Sequence, residues 1–178
     1  MKEIELKVTV INGGGATNET GKITIDPATI RVSGSNSLLE NMDSLGLGTI
    51  NLAEIPGDTT QTFPIKLPEG VTNETGLQEA TVDIRFPNLG TKILTVTQID
   101  AINVPEGLIV DFITQRLEIQ IRGAKSRVQK VEASDIKVTV NFADEQVGTA
   151  TVKAEITIDI DGVGAVGIYN VTATLREK

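Results

Sequence analysis

The sequence contains no cysteine, no histidine and no tryptophan, one tyrosine, and only 3% aromatic residues. Each absence removes a class of chemistry. Without cysteine there are no disulfides and no thiolate nucleophile or metal ligand. Without histidine the commonest general base and the usual zinc ligand are missing. No stretch approaches the roughly 18 consecutive apolar residues of a membrane-spanning helix, and Met1 is not followed by a signal-peptide pattern. Basic residues are outnumbered, 16 against 24 acidic ones, for a net charge of −8. The pI is near 4.6. An acidic surface repels phosphate backbones, so nucleic acid is not the expected partner.

What remains is aliphatic and β-branched. Hydrophobic residues make up 39% of 178 positions, enough to bury a core, and Val, Ile, Leu and Thr must build it. They recur with a period of two, the spacing that puts alternate side chains on one face of a strand. Ile4, Leu6, Val8 and Val10 show it first, followed by Ile30/Val32, Phe63/Ile65/Leu67 and Val82/Ile84/Phe86. Leu117/Ile119/Ile121, Val138/Val140/Phe142, Val152/Ala154/Ile156/Ile158 and Val171/Ala173/Leu175 continue it. Helical spacing is confined to SLLENMDSL, where Leu38, Met42 and Leu45 share a side over two turns, and to SRVQKVEA, with Val128 and Val131.

The pieces occur twice in the same order. TIRVSGSNSLLENM aligns with EIQIRGAKSRVQKV, placing Gly34 on Gly123, a shift of 89 residues, and TVDIRF aligns with NVTATL at the same shift. Between them INL matches VNF at a shift of 90, one residue having been gained. The expected architecture is therefore mainly β. It comprises two tandem modules, residues 1–89 and 90–178, each of six or seven short, mostly antiparallel strands with a helical turn after Gly34 or Gly123.

Several short patterns could carry function. GVGAVG, Gly162–Gly167, fits the glycine fingerprint of dinucleotide-binding folds, which needs a strand before it and a helix after it. The following IYNVTATLREK alternates with period two and ends the sequence, so a loop between strands is expected instead. IDIDGVG, with Asp159 and Asp161, resembles the start of a calcium loop but supplies none of the later oxygen ligands, and a turn on Asp161–Gly162 is expected. TNETG occurs at 17–21 and again at 72–76; loop tips are the simplest reading, a paired contact surface the alternative. Asn18, Asn73 and Asn170 fit the N-x-[ST] acceptor pattern. Arg116, Arg122, Lys125, Arg127 and Lys130 form a basic cluster, expected to be a solvated face; if functional, it suits an anionic polymer or an acidic partner. No catalytic, cofactor-binding or metal-ligating residue is assigned.

NETGKITIDPATIRVSGSNSLLENM, followed in order by INL, TFPIKLPEGV and ATVDIRF, resembles the YbbR-domain pattern. NVPEGL, EIQIRGAKSRV, VNF and NVTATLRE repeat it. Three positions depart from that pattern: Ser35 and Ala124 stand where Pro is often seen, Asn51 and Asn141 where Asp is common, and Arg116 aligns with Pro27. The resemblance implies a non-enzymatic regulatory protein, its modules outside a bacterial cell and its parent held to the membrane by an N-terminal helix. It further implies a membrane-bound diadenylate cyclase, or another protein, as partner, and no cofactor. The alternative is a module binding cell-wall polymer or carbohydrate, for which the usual aromatic platforms are scarce. RNA binding is disfavoured by the charge, and an enzyme by the missing constellation of groups.

Overall fold

The computed structural model describes residues 1–178. The chain divides into two compact units, one of residues 1–12 and 17–87, the other of residues 13–16 and 88–178. The boundary expected between residues 89 and 90 falls at the start of a strand, Leu89–Val96. No helix is long and apolar enough to cross a membrane.

The first unit contains β1 (Lys2–Ile11), β2 (Lys22–Asp26), β3 (Thr29–Gly34), α1 (Asn36–Leu39), β4 (Ser44–Asn51), β5 (Thr59–Pro64), β6 (Val71–Asn73) and β7 (Glu79–Arg85). They form two sheets, ordered β4-β1-β3-β6 and β2-β7-β5. The second contains β8 (Leu89–Val96), β9 (Ile99–Ile102), β10 (Leu108–Phe112), β11 (Leu117–Ala124), α2 (Lys125–Val128), β12 (Ile136–Asn141), β13 (Gly148–Ile158), β14 (Val163–Val166) and β15 (Asn170–Glu177). Its sheets are ordered β14-β11-β8 and β10-β15-β13-β12-β9.

Strand register shows the duplication more directly than residue identity does. Ile4 faces Ile30 in one unit and Leu94 faces Ile119 in the other. Ile23 faces Ile84, and Phe112 faces Ala173. Gly34 faces Val71, and Gly123 faces Val163. Each unit also holds one parallel pair that the hydrophobic period could not reveal, β1 with β4 and β9 with β12. In β1, Lys2–Glu5 pair antiparallel with β3 and Glu5–Ile11 parallel with β4, and a register irregularity between Lys7 and Val8 interrupts the parallel stretch. In the second unit one extra residue widens that irregularity into a break at Thr97–Gln98, so one strand becomes β8 and β9.

Side-chain details repeat as well. Lys2 Nζ donates to Leu39 O at 2.8 Å, and Lys92 Nζ to Val131 O at 2.7 Å, so a lysine satisfies carbonyls at the end of each helical turn. Asn51 Oδ1 accepts from Ala53 N at 3.1 Å and Asn141 Oδ1 from Ala143 N at 3.0 Å. These local acceptors hold the turn after the middle strand, a role the Asn amide oxygen fills as a carboxylate would.

The expected elements differ from the structure in three places here. The second unit has eight strands where six or seven were expected, because the break at Thr97–Gln98 divides one of them into β8 and β9. β5 stops at Pro64, so Ile65 and Leu67 lie beyond it, though both still pack on the first core. Proline offers no N–H to a ladder; the corresponding β13 runs on to Ile158 and pairs with β12 through Ala154–Ile158. The two-turn helix expected over Leu38, Met42 and Leu45 is a single turn. Leu39 is its buried residue, Leu38 is 44% exposed, and Leu45 belongs to β4.

The first core gathers Ile4, Leu6, Ile30, Val32, Leu39 and Ala80. The second is built on Ile119, Ile121, Val138, Val140, Phe142, Val171, Ala173 and Leu175, with Phe112 tilted against Phe142 at 6.2 Å between ring centroids. With few aromatics, volume comes from many β-branched side chains standing opposite one another across strands.

Candidate functional site

The glycine run is a strand bounded by two left-handed glycines, which corrects the expectation of a loop. Gly162 (φ 73°) and Gly167 (φ 97°) flank β14, whose Val163–Val166 pair antiparallel with Gly123–Gln120 of β11. β15, starting at Asn170, occupies the place where a nucleotide fold would have its helix. The absence of side chains serves packing. A Cβ on Gly164 would lie 2.5 Å from Gly15 N, and one on Gly123 would lie 2.5 Å from Gly162 O. Tyr169 closes this corner: its hydroxyl donates to Val166 O at 2.6 Å and accepts from Gln120 N at 2.8 Å. Tyr169→Phe removes both bonds and is expected to cost about 1–2 kcal/mol in urea unfolding.

Arg122 departs furthest from the sequence reading. Expected on a solvated face, it is 1% exposed. Its Nε donates to Gly14 O at 2.8 Å and its Nη2 to Gly13 O at 3.3 Å. The planar fork of the guanidinium suits two neighbouring carbonyls. Burial disfavours the charged form and lowers the pKa to about 10. Gly15 has φ +70°, and a Cβ there would sit 1.8 Å from Arg122 O. The segment Gly13–Ala16, tied by mutual Gly13–Ala16 backbone bonds, is thus moulded onto Arg122 and Gly164. Nothing in the period-two pattern marks an outward strand position as covered. The run of three glycines at 13–15 was the available signal.

The rest of the basic cluster also separates. Arg116 precedes β11, at the end of the strand away from α2. Arg127 donates to the Asp161 carbonyl and lies 3.4 Å from its carboxylate. Lys125, the first residue of α2, and Lys130, just after it, are exposed, and Lys92, outside the expected cluster, reaches the Gln129 and Val131 carbonyls just past α2.

The acidic groups do not converge, and no three of them form an arrangement able to hold a metal. At the calcium-like motif Gly162 makes the expected turn, and Arg127 engages Asp161 there. Asp43 is held below the usual carboxylate range by a hydrogen bond and charge from Lys2, and Asp83 by Arg85 and the Thr60 hydroxyl. Both are exposed strand or turn partners rather than an acid/base pair. The two TNETG copies take different conformations. Residues 17–21 form a turn closed by Gly21 N to Thr17 O at 2.8 Å. In the second copy Thr72 and Asn73 belong to β6, and Asn73 donates to Leu77 O and accepts from Thr75 N. An open groove of about 400 Å³ lies among Glu3, Thr29, Arg31, Glu74 and Thr75. Within it Thr29 donates to Glu3 at 2.9 Å, and the neighbouring Ser33 donates to Glu74. These surfaces can make contacts; no nucleophile and base are brought together on them.

The family model described as YbbR-like protein matches residues 4–86 and again 94–175. The chain belongs to the YbbR-like family. Its two YbbR units are thus the family repeat that the register shows. Among curated proteins, the CdaA regulatory protein CdaR of Bacillus subtilis is 23% identical over 159 residues, covering 88% of this chain and 31% of that protein. This chain therefore spans about a third of that relative. Among solved structures, the YbbR-like domain of lmo2119 from Listeria monocytogenes is 18% identical with a TM-score of 0.43, covering 50% of this chain and 95% of that one. A YbbR-like protein from Streptococcus pneumoniae is 13% identical with a TM-score of 0.36, covering 99% of this chain and 95% of that one.

Proposed function

We propose that this YbbR pair is a non-enzymatic, extracytoplasmic part of a membrane-anchored regulator, acting through protein contacts on a membrane-bound diadenylate cyclase. Residues 1–89 and 90–178 are its two modular lengths. The observation that carries this reading is the tandem family match, joined to similarity with a protein named as a regulator of CdaA. The residue roles support it. The glycine run, the buried arginine and the paired carboxylates each have a structural task, which leaves recognition to exposed strands and turns.

The test is immobilised chain against detergent-solubilised cyclase, read by biolayer interferometry. Saturable binding that competes with unlabelled chain is the expected result. No binding at any concentration, with the folded state verified by circular dichroism, overturns the proposal.

Lys125 and Lys130 favour a second reading, docking of an anionic wall polymer. Its test reverses these two charges, because Arg122 is buried and Arg127 is engaged with Asp161. Tight polymer binding that the reversal abolishes establishes that reading in place of the first.

A further inference from the structure

β10 is an edge strand whose only ladder partner is β15. Five of the six residues Leu108–Ile113 are apolar. Leu108, Val110 and Phe112 pack on the second core. Ile109 and Asp111 alternate with them, and Ile113 is 59% exposed. An unprotected apolar edge is a template for another strand, and proteins normally guard edges with charge, proline or short length. Most other edges here are guarded. β2 carries Lys22 and Asp26, β5 ends in Pro64 and β9 carries Asp100. β8 has Ile93 exposed and its Lys92 held by Gln129 O and Val131 O, but Gly90 and Thr91 interrupt its apolar run. β6 and β14 have three and four residues. β4 has no charge, but Ile65 and Leu67, in the place of β13's extension, pack on the same core as its Leu45 and Leu47. β10 has one acid, Asp111, already paired with Arg176 across the sheet.

We infer that β10 pairs antiparallel with β10 of a second copy of this chain, joining two five-stranded sheets around a two-fold axis at Val110. The occupant follows from self-complementarity. Centred on Val110, Leu108 stands opposite Phe112 and Ile109 opposite Asp111, so no like charges meet and apolar side chains meet on the core face. Each Asp111 keeps its own Arg176. An isologous contact of this kind closes at two copies. The net charge of −8 per chain opposes approach, so association strengthens as salt screens it.

Sedimentation velocity over a concentration series is expected to show a monomer–dimer equilibrium that shifts toward dimer with added salt. Ile109→Glu with Ile113→Glu sets an acid directly opposite Asp111 of the second copy and is expected to weaken dimerisation about tenfold or more, with the melting temperature of the monomer unchanged. Register is tested separately, since the chain has no cysteine of its own. A mixture of Ile109→Cys chains and Asp111→Cys chains is expected to form a disulfide-linked heterodimer, and Ile109→Cys chains alone to form none. A monomer at every concentration, a dimer untouched by the two glutamates, or linkage only between like cysteines overturns the inference. None of these outcomes depends on the cyclase.

Discussion

Replacing Gly164 by alanine lowers the stability of the second unit by about 3 kcal/mol, the upper part of the range for forcing an extra carbon into closed packing. Gly15→Ala costs more, about 3–5 kcal/mol, because the new carbon meets Arg122 O at 1.8 Å and φ +70° adds left-handed strain. At roughly 2–4 °C per kcal/mol, the melting midpoint falls by roughly 10 °C for either variant. The contrast is Gly46→Ala, where a Cβ meets nothing within 4 Å. That variant is expected to be neutral or about 1 kcal/mol more stable, since alanine restricts the unfolded chain. Nicotinamide nucleotides, added to the unmodified protein, are expected to leave the midpoint in place. A clear upward shift restores the cofactor reading of GVGAVG.

Removing the Arg122 side chain has an effect of similar size. Arg122→Ala withdraws the donors to Gly13 O and Gly14 O and leaves a cavity under Gly13–Ala16, a loss of about 3 kcal/mol. Arg122→Met keeps most of the packed stem and takes away a charge that burial already penalises, so it loses less than alanine. Arg122→Lys fares worse than Met, because an ammonium keeps the desolvation cost without the fork that reaches both carbonyls. Urea midpoints ordered wild type, Met, Lys, Ala support this account. Equal midpoints for all four show that the buried guanidinium is energetically idle.

The repeat and the sheet content were legible because burial on one face imposes a period of two wherever it occurs. Ile4, Ile30, Val82, Ile119, Val138 and Val171 all lie in the core as that period predicts. The parallel pairs were not legible, since alternation is the same whether β1 meets its neighbour parallel or antiparallel. Arg122 was misread for a related reason: the pattern tells which face a residue points to, and not what covers that face. In SLLENMDSL the helical spacing competed with strand β4, which claims Leu45, and a single turn was left. The two TNETG copies show the limit of local sequence, because identical residues form a closed turn in one place and join a strand in the other.

Regulation by contact alone is tested most directly on the cyclase itself. Cyclic diadenylate formation by the membrane-bound enzyme, measured while folded chain is titrated in, is predicted to change saturably, and the chain alone is predicted to convert no ATP. A rate that stays constant up to concentrations that saturate binding contradicts the proposed function.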